Sequence, residues 1–152
     1  FKSTGNQSPV VVSAKAAYMN DDLERFSKRY GVPFRFNPHF PINTLALMRG
    51  AVAYQDDAVT SSTYRDAIFE AIWVEACNLN DPAVVDHVLS RAGLDPIRLM
   101  NRIGQQTVKN QLIANTEEAV NRGVFGAPTF FVGDQMFFGQ DRLDFVTEAL
   151  SV

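Results

Sequence analysis

Cysteine is the scarcest reactive residue in this sequence. Cys77 stands alone among 152 residues, which excludes an intrachain disulfide and a cysteine-rich metal site by counting. Histidine is nearly as rare, and His39 and His87 lie in unrelated contexts without ligand spacing, so no metal is expected. Basic charge is also short: 14 Lys and Arg face 17 Asp and Glu, for a formal net charge of -3. No Lys or Arg cluster marks a phosphate-binding face, so no nucleic-acid partner is expected. Long apolar runs are missing as well. A stretch such as Val124 to Val132 is far too short to cross a bilayer and contains Gly and Pro, so no membrane partner is expected. The single thiol fits a reducing cytoplasm best. The first residues, Phe1 and Lys2, follow no signal-peptide or transit-peptide pattern, and loss of a front end would leave the same appearance.

What is present suits one globular domain, because 46% hydrophobic content over this length can bury a real core. Residues Phe1 to Val12 read as an ordered loop, with Gly5, Asn6 and Pro9 as turn formers. Ala16, Met19, Leu23, Phe26 and Tyr30 then recur at steps of three and four, which predicts an amphipathic helix of about four turns, with Ser13 a possible cap and Gly31 its stop. Pro33, Pro38 and Pro41 make the next segment an extended connector. Asn43 is expected to cap a helix running to about Tyr54. The Ser61-Ser62 pair is expected to cap another that carries Ile68, Phe69, Ile72, Trp73 and Ala76 toward a core and extends through Cys77. Asp81-Pro82 and Asp95-Pro96 each place a capping carboxylate before a first-turn proline and so start two short helices, the first closed by Gly93. A longer helix is expected from about Thr107 to Arg122, stopped by Gly123.

After Gly123 the period changes. Phe130-Phe131-Val132 and Gln135 to Phe138 read as two strands joined by the Gly133-Asp134 turn, and Leu143, Phe145, Val146, Ala149 and Leu150 mark a closing helix. One hairpin cannot cover so much apolar helix surface, so further strands are expected from another subunit or from a preceding segment.

Two segments can carry chemistry. Pro128, just before an aromatic strand, cannot donate to a ladder at its own position. A cis bond there would turn the carbonyl and amide of Ala127 outward as an edge for an extended peptide, while the plainer reading is an ordinary turn. Gln140 and Asp141 stand at the expected start of the last helix, where free amides attract a carboxylate and Asp141 can accept from an ammonium. Asp141 is equally readable as a simple cap. Such a pair of groups suits the head of an amino acid.

Four separated motifs now agree in order: Phe1-Lys2-x-x-Gly5-Asn6, Ala14-Lys15-x-x-Tyr18-Met19, Val124-Phe125-Gly126-Ala127-Pro128-Thr129, and Phe138-Gly139-Gln140-Asp141-Arg142. Together with Gly31 to Phe36 they make the chain resemble, over essentially its whole length, the 2-hydroxychromene-2-carboxylate isomerases, bacterial relatives of kappa-class glutathione transferases. The resemblance implies an α/β, DsbA-family thioredoxin-like fold, incomplete at its N-terminus, with a large all-helical insertion. Residues 1–41 and 116–152 would form the thioredoxin-like part and 42–115 the insertion. It implies a cytoplasmic homodimer that uses glutathione as cofactor. The substrate would be 2-hydroxychromene-2-carboxylate or a similar unsaturated aromatic keto acid, in aromatic-compound degradation.

By the same resemblance, Asn6 and Lys15 would be polar contacts to glutathione, with Lys15 near the glycyl carboxylate. Ala127 would pair its backbone with the cysteinyl unit, Pro128 would be the cis-proline, and Gln140 with Asp141 would hold the γ-glutamyl head. By composition alone, Lys15 also reads as a solvated first-turn lysine. Members of the family begin with a strand, a serine-proline turn, a helix and a second strand. None of these is in the sequence, so no catalytic residue is expected within it and the serine that faces the thiol would lie before Phe1. The alternatives are a kappa-like glutathione transferase, a DsbA-like thiol-disulfide oxidoreductase, whose Cys-x-x-Cys would also lie upstream, and a non-catalytic binding module.

Overall fold

The computed structural model describes residues 4–7 and 11–151. The expected loop at Phe1 to Val12 therefore falls in part, at Phe1 to Ser3 and Ser8 to Val10, outside the described residues. The chain folds as two compact units. One comprises Val12–Ala114, and the other the described residues up to Val11 and from Asn115 onward.

The larger unit opens with α1, Ser13–Tyr30, which Gly31 ends in the left-handed region that glycine adopts without penalty. Ser13 is the first helical residue rather than a cap, and Val12 at the cap position offers no side-chain bond. At 18 residues the helix is about a turn longer than expected. None of its residues is buried, and Met19, Leu23 and Tyr30 from the expected apolar face are exposed.

The core of this unit is built from α2 (Leu45–Ala53), α3 (Ala58–Trp73), α4 (Pro82–Arg91) and α5 (Pro96–Gly104). Leu47, Ile68, Ile72, Val88, Leu89, Leu99 and Ile103 pack together there, with Val108 from α6 (Gln106–Asn121). Close packing sets the sequence locally: a Cβ on buried Gly50 of α2 would overlap the Tyr64 ring of α3. That ring's hydroxyl donates to the Leu47 carbonyl at 2.8 Å, and burial pushes the phenol well above its usual range.

Side-chain capping explains the starts of α3, α4 and α5. Asp81 accepts from the Ala83 amide and Asp95 from the Arg98 amide, each with proline at the first position, as the sequence predicts. The start of α3 differs from expectation. Asp57, not the serine pair, is its cap, accepting from Thr60 N–H and Thr60 Oγ1, and Ser61 and Ser62 lie inside the helix. A carboxylate closed on two Thr60 donors makes the better cap, and those bonds hold Asp57 below the usual carboxylate range.

The end of α3 also differs. The helix stops at Trp73, Ala76 takes a positive φ of 58°, and Cys77 lies beyond the helix. Asn37, 0% exposed, is the physical reason: its Nδ2 donates to the carbonyls of Ile72 at 3.0 Å and Cys77 at 2.9 Å. The Arg35 amide meanwhile takes the Trp73 carbonyl. The proline-punctuated connector thus captures acceptors that a longer α3 would have used itself. The Cys77 thiol is half-buried, and burial together with the nearby Glu75 carboxylate pushes its pKa up. Cys77 should alkylate more slowly than a solvent-exposed thiol at neutral pH, a comparison that a thiol-titration time course would make.

Glu75 is itself held below the usual carboxylate range, first by the hydrogen bond from Arg91 at 2.7 Å. A depressed folded-state pKa contributes stability that is present above the unfolded value and is lost as pH falls through the folded one. Both partners are solvent-accessible, so the effect is small. Arg91→Ala should lower the urea midpoint slightly at neutral pH and leave it unchanged at pH low enough to protonate Glu75.

In the smaller unit, β1 (Thr129–Val132) and β2 (Gln135–Phe138) form an antiparallel hairpin with Phe130 opposite Phe137 and Phe131 opposite Met136. The Arg122 guanidinium lies 3.5 Å from the Phe131 ring centroid, a cation–π contact. A single 3-10 turn, Gln140–Arg142, leads into α7 (Leu143–Leu150), which packs on β1. Phe145 and Leu150 of α7 remain exposed. Two four-residue strands offer too little sheet face to cover it.

Candidate functional site

The loop from Val124 to Pro128 carries the candidate edge. The Ala127–Pro128 bond is cis, as the sequence-based expectation has it, and a second cis bond precedes Pro41. Ala127 and Pro128 are both exposed. Neither the amide nor the carbonyl of Ala127 has a hydrogen-bond partner among the described residues. The ladder begins only at Thr129, whose hydroxyl donates to the Gly126 carbonyl at 2.8 Å and closes the loop beneath the edge. Phe125 and Phe138 brace it from the side, with ring centroids 4.7 Å apart.

The acidic turn is tied to this loop through the backbone. The Gly139 amide donates to the Pro128 carbonyl at 3.0 Å, which sets Gln140 and Asp141 beside the open edge. Gly139 has a φ of 106°, and a Cβ there would overlap Asp141 Oδ1, so only glycine suits the position. The Asp141 amide has no acceptor among the described residues. Its carboxylate is exposed and takes a 2.7 Å bond from Arg142 Nη1 to Oδ2.

Asn6 enters from the far end of the sequence. Its Nδ2 donates to the Phe125 carbonyl at 2.7 Å, while its Oδ1 accepts from the Gln7 amide at 2.8 Å. This side chain therefore holds the proline loop from outside and keeps one amide hydrogen for a ligand. Of the six residues singled out in the sequence, Asn6, Ala127, Pro128, Gln140 and Asp141 share the smaller unit. Lys15 stands exposed in the first turn of α1, in the other unit, with no ion pair among the described residues.

Sequence reasoning missed three supports of this site: the Phe125 carbonyl that receives Asn6, the Thr129 hydroxyl that closes the loop, and Arg142, which holds Asp141. Arg142 lay within a quoted motif, and its adjacency to an acid was the available signal. The other two depend on tertiary contacts. The larger unit adds an apolar cavity of about 440 Å³ with Phe40, Met48, Ile68, Phe69 and Trp73 in its walls. Trp73 stacks on Phe34 at 5.9 Å and meets Phe40 at 5.8 Å. No cluster of three or more His, Cys, Asp or Glu suited to a metal occurs among the described residues, and no described helix is long and apolar enough to cross a membrane.

A proline loop with an open main-chain edge, beside a hairpin and a closing helix, defines a thioredoxin-type domain. The chain belongs to the DSBA-like thioredoxin domain family, whose model matches residues 1–151, and within it groups with the 2-hydroxychromene-2-carboxylate isomerases. It is 31% identical over 150 residues to the 2-hydroxychromene-2-carboxylate isomerase of Sphingobium xenophagum, a match that spans 97% of this chain and 75% of the relative. It is 27% identical over 168 residues to human glutathione S-transferase kappa 1, across 99% of this chain and 72% of that protein. A solved 2-hydroxychromene-2-carboxylate isomerase superposes with a TM-score of 0.81 at 24% identity, over 97% of this chain and 71% of that one, a likeness of fold. The chain spans about two thirds to three quarters of the length of the curated isomerases it matches.

Proposed function

We propose that this chain serves a glutathione-dependent isomerase acting on 2-hydroxychromene-2-carboxylate or a similar unsaturated aromatic keto acid, in the breakdown of aromatic compounds. The observation that carries the reading is the amide and carbonyl of Ala127, unpaired among the described residues, with the acidic turn tied next to them. An extended peptide can add to that edge through main-chain hydrogen bonds. The cysteinyl unit of glutathione would lie there. The Asp141 carboxylate would face the γ-glutamyl ammonium, and the Asp141 amide with the Gln140 side chain would face its carboxylate. Asn6 would fix the loop and contribute its remaining donor. Lys15 would answer the glycyl carboxylate, and Pro128 would shape the edge.

Bound glutathione supplies a reversible thiol nucleophile that is returned at the end of each turnover. The residues of this chain bind and orient the tripeptide. The hydroxyl partner of its sulfur is proposed to come from outside residues 1–152. The helical segment 42–115 is proposed as an insertion between thioredoxin-like parts 1–41 and 116–152. Its aromatic cavity around Trp73 supports an aromatic substrate, because such walls favour flat apolar bodies. A cytoplasmic homodimer remains part of the proposal.

The similarity to kappa-class transferases favours a second reading, in which the same site serves a transferase that releases a glutathione conjugate. A DsbA-like oxidoreductase has less support, because the curated relatives that the chain matches are isomerases and kappa-class transferases, and the half-buried Cys77 thiol, with its raised pKa, is no substitute for a Cys-x-x-Cys. Incubation of the protein with 2-hydroxychromene-2-carboxylate and limiting glutathione separates these cases. Many product molecules per thiol support isomerisation, stoichiometric thiol loss supports transfer, and turnover indifferent to thiol refutes both.

A further inference from the structure

The larger unit holds a second cavity that the proposed reaction does not use. It encloses about 380 Å³ and is lined by α2, α4 and α5. Leu79, Leu99 and Ile103 supply apolar wall, while Asn43, Arg49 and Asn80 supply polar wall. The Nε of Arg49 is shut off from solvent and has no hydrogen-bond partner among the described residues. No carboxylate lies within ion-pair distance of its guanidinium among the described residues. The Nε is closed to a ligand as it is to water, but Arg49 stands on the cavity wall with a charge that no carboxylate answers, and an anion in the cavity would supply the missing partner.

The neighbouring polar groups are donors too. Asn43 Oδ1 accepts from the Leu45 amide at 3.2 Å, and Asn80 Oδ1 accepts from the Asn43 amide at 2.9 Å. Each side-chain oxygen is thereby fixed on the backbone, so each NH2 end is left as a donor with no partner among the described residues. Ala46 and Leu47, which also line the cavity, have first-turn amides of α2 without backbone acceptors. A cation, two amide donors and a helix start thus converge on one space with apolar walls.

We infer that this cavity binds a small organic monocarboxylate, its head on Arg49, Asn43 and Asn80 and its apolar body against Leu79, Leu99 and Ile103. Asp86, on the lining as well, repels a second carboxylate and accepts from a hydroxyl on that body. The inference is independent of the glutathione reading, since every residue in it belongs to the larger unit.

The test is calorimetric titration of the protein with 2-naphthoate and with 2-naphthamide, which has the same body and no charge. Saturable 2-naphthoate binding is expected, about 30-fold tighter than the amide, from the worth of a charge-assisted hydrogen bond. Arg49→Gln should reduce naphthoate binding to the level of the amide while glutathione binding stays as in the wild type. Arg49→Lys, which keeps the charge and loses the fork, should fall between. Equal affinity for acid and amide, undiminished naphthoate binding by Arg49→Gln, or no saturable binding would overturn the inference. So would selective loss in Trp73→Ala, which would place the ligand in the other cavity. Should Arg49→Gln fail to fold, the acid-amide comparison and Arg49→Lys decide the matter on folded protein.

Discussion

Asn37→Ala should destabilise the protein by about 3 kcal/mol, because it strips partners from two carbonyls in a packed region, each worth about 1–3 kcal/mol when left unsatisfied. Apart from Tyr54 and Tyr64, Asn37 is the only polar residue among the described buried side chains, and its Oδ1 also accepts from the His39 amide at 2.8 Å. A single side chain therefore ties the connector to the end of α3 and to Cys77. Asn37→Asp should be worse than Asn37→Ala, since it turns a donor into a charged acceptor facing two carbonyl oxygens. Urea unfolding checks both, through a lower midpoint with an unchanged slope. A loss below about 0.5 kcal/mol, the range of an ordinary surface substitution, would show that the clamp carries no weight. The same connector brings Phe40 and Ile42 to the aromatic cavity, so the variant should also loosen that wall.

Asp141→Asn should weaken glutathione binding about 30-fold, the equivalent of about 2 kcal/mol for one charge-assisted hydrogen bond. The substitution keeps the size of the side chain and the turn while removing the charge that would face an ammonium. Arg142 already engages Oδ2, so part of the field at this carboxylate is neutralised and a larger effect is not expected. Glutathione lacking its α-amino group provides the control: wild type and Asp141→Asn should bind that analogue alike. A variant that binds glutathione as the wild type does would remove Asp141 from the head-group site.

The most legible parts of the fold are those decided within a few residues. Asp81-Pro82 and Asp95-Pro96 announce helix starts because cap and first turn are adjacent in sequence. The hairpin is readable because Gly133-Asp134 separates two short aromatic runs. The start of α3 was misread because two capping candidates stand four residues apart. Its end was misread because Asn37 and Arg35, more than thirty residues away, decide which carbonyls the helix keeps. The candidate loop was legible for a local reason, since a proline before an aromatic strand leaves one position unable to join the ladder. The grip of Asn6 on Phe125 spans 119 residues and left no local trace, although Asn6 itself stood in a motif. Arg49 went unnoticed because an arginine at helical spacing looks solvated until the walls around it are placed.

The central claim is that the Ala127 edge and the Asp141 turn together grip a γ-glutamyl tripeptide thiol. Amide-resolved NMR titration of the protein with reduced glutathione tests it most directly. The account predicts saturable shifts at the amides of Ala127, Thr129, Gln140 and Asp141, all following one binding curve. No saturable response, or shifts confined to other residues, would contradict it.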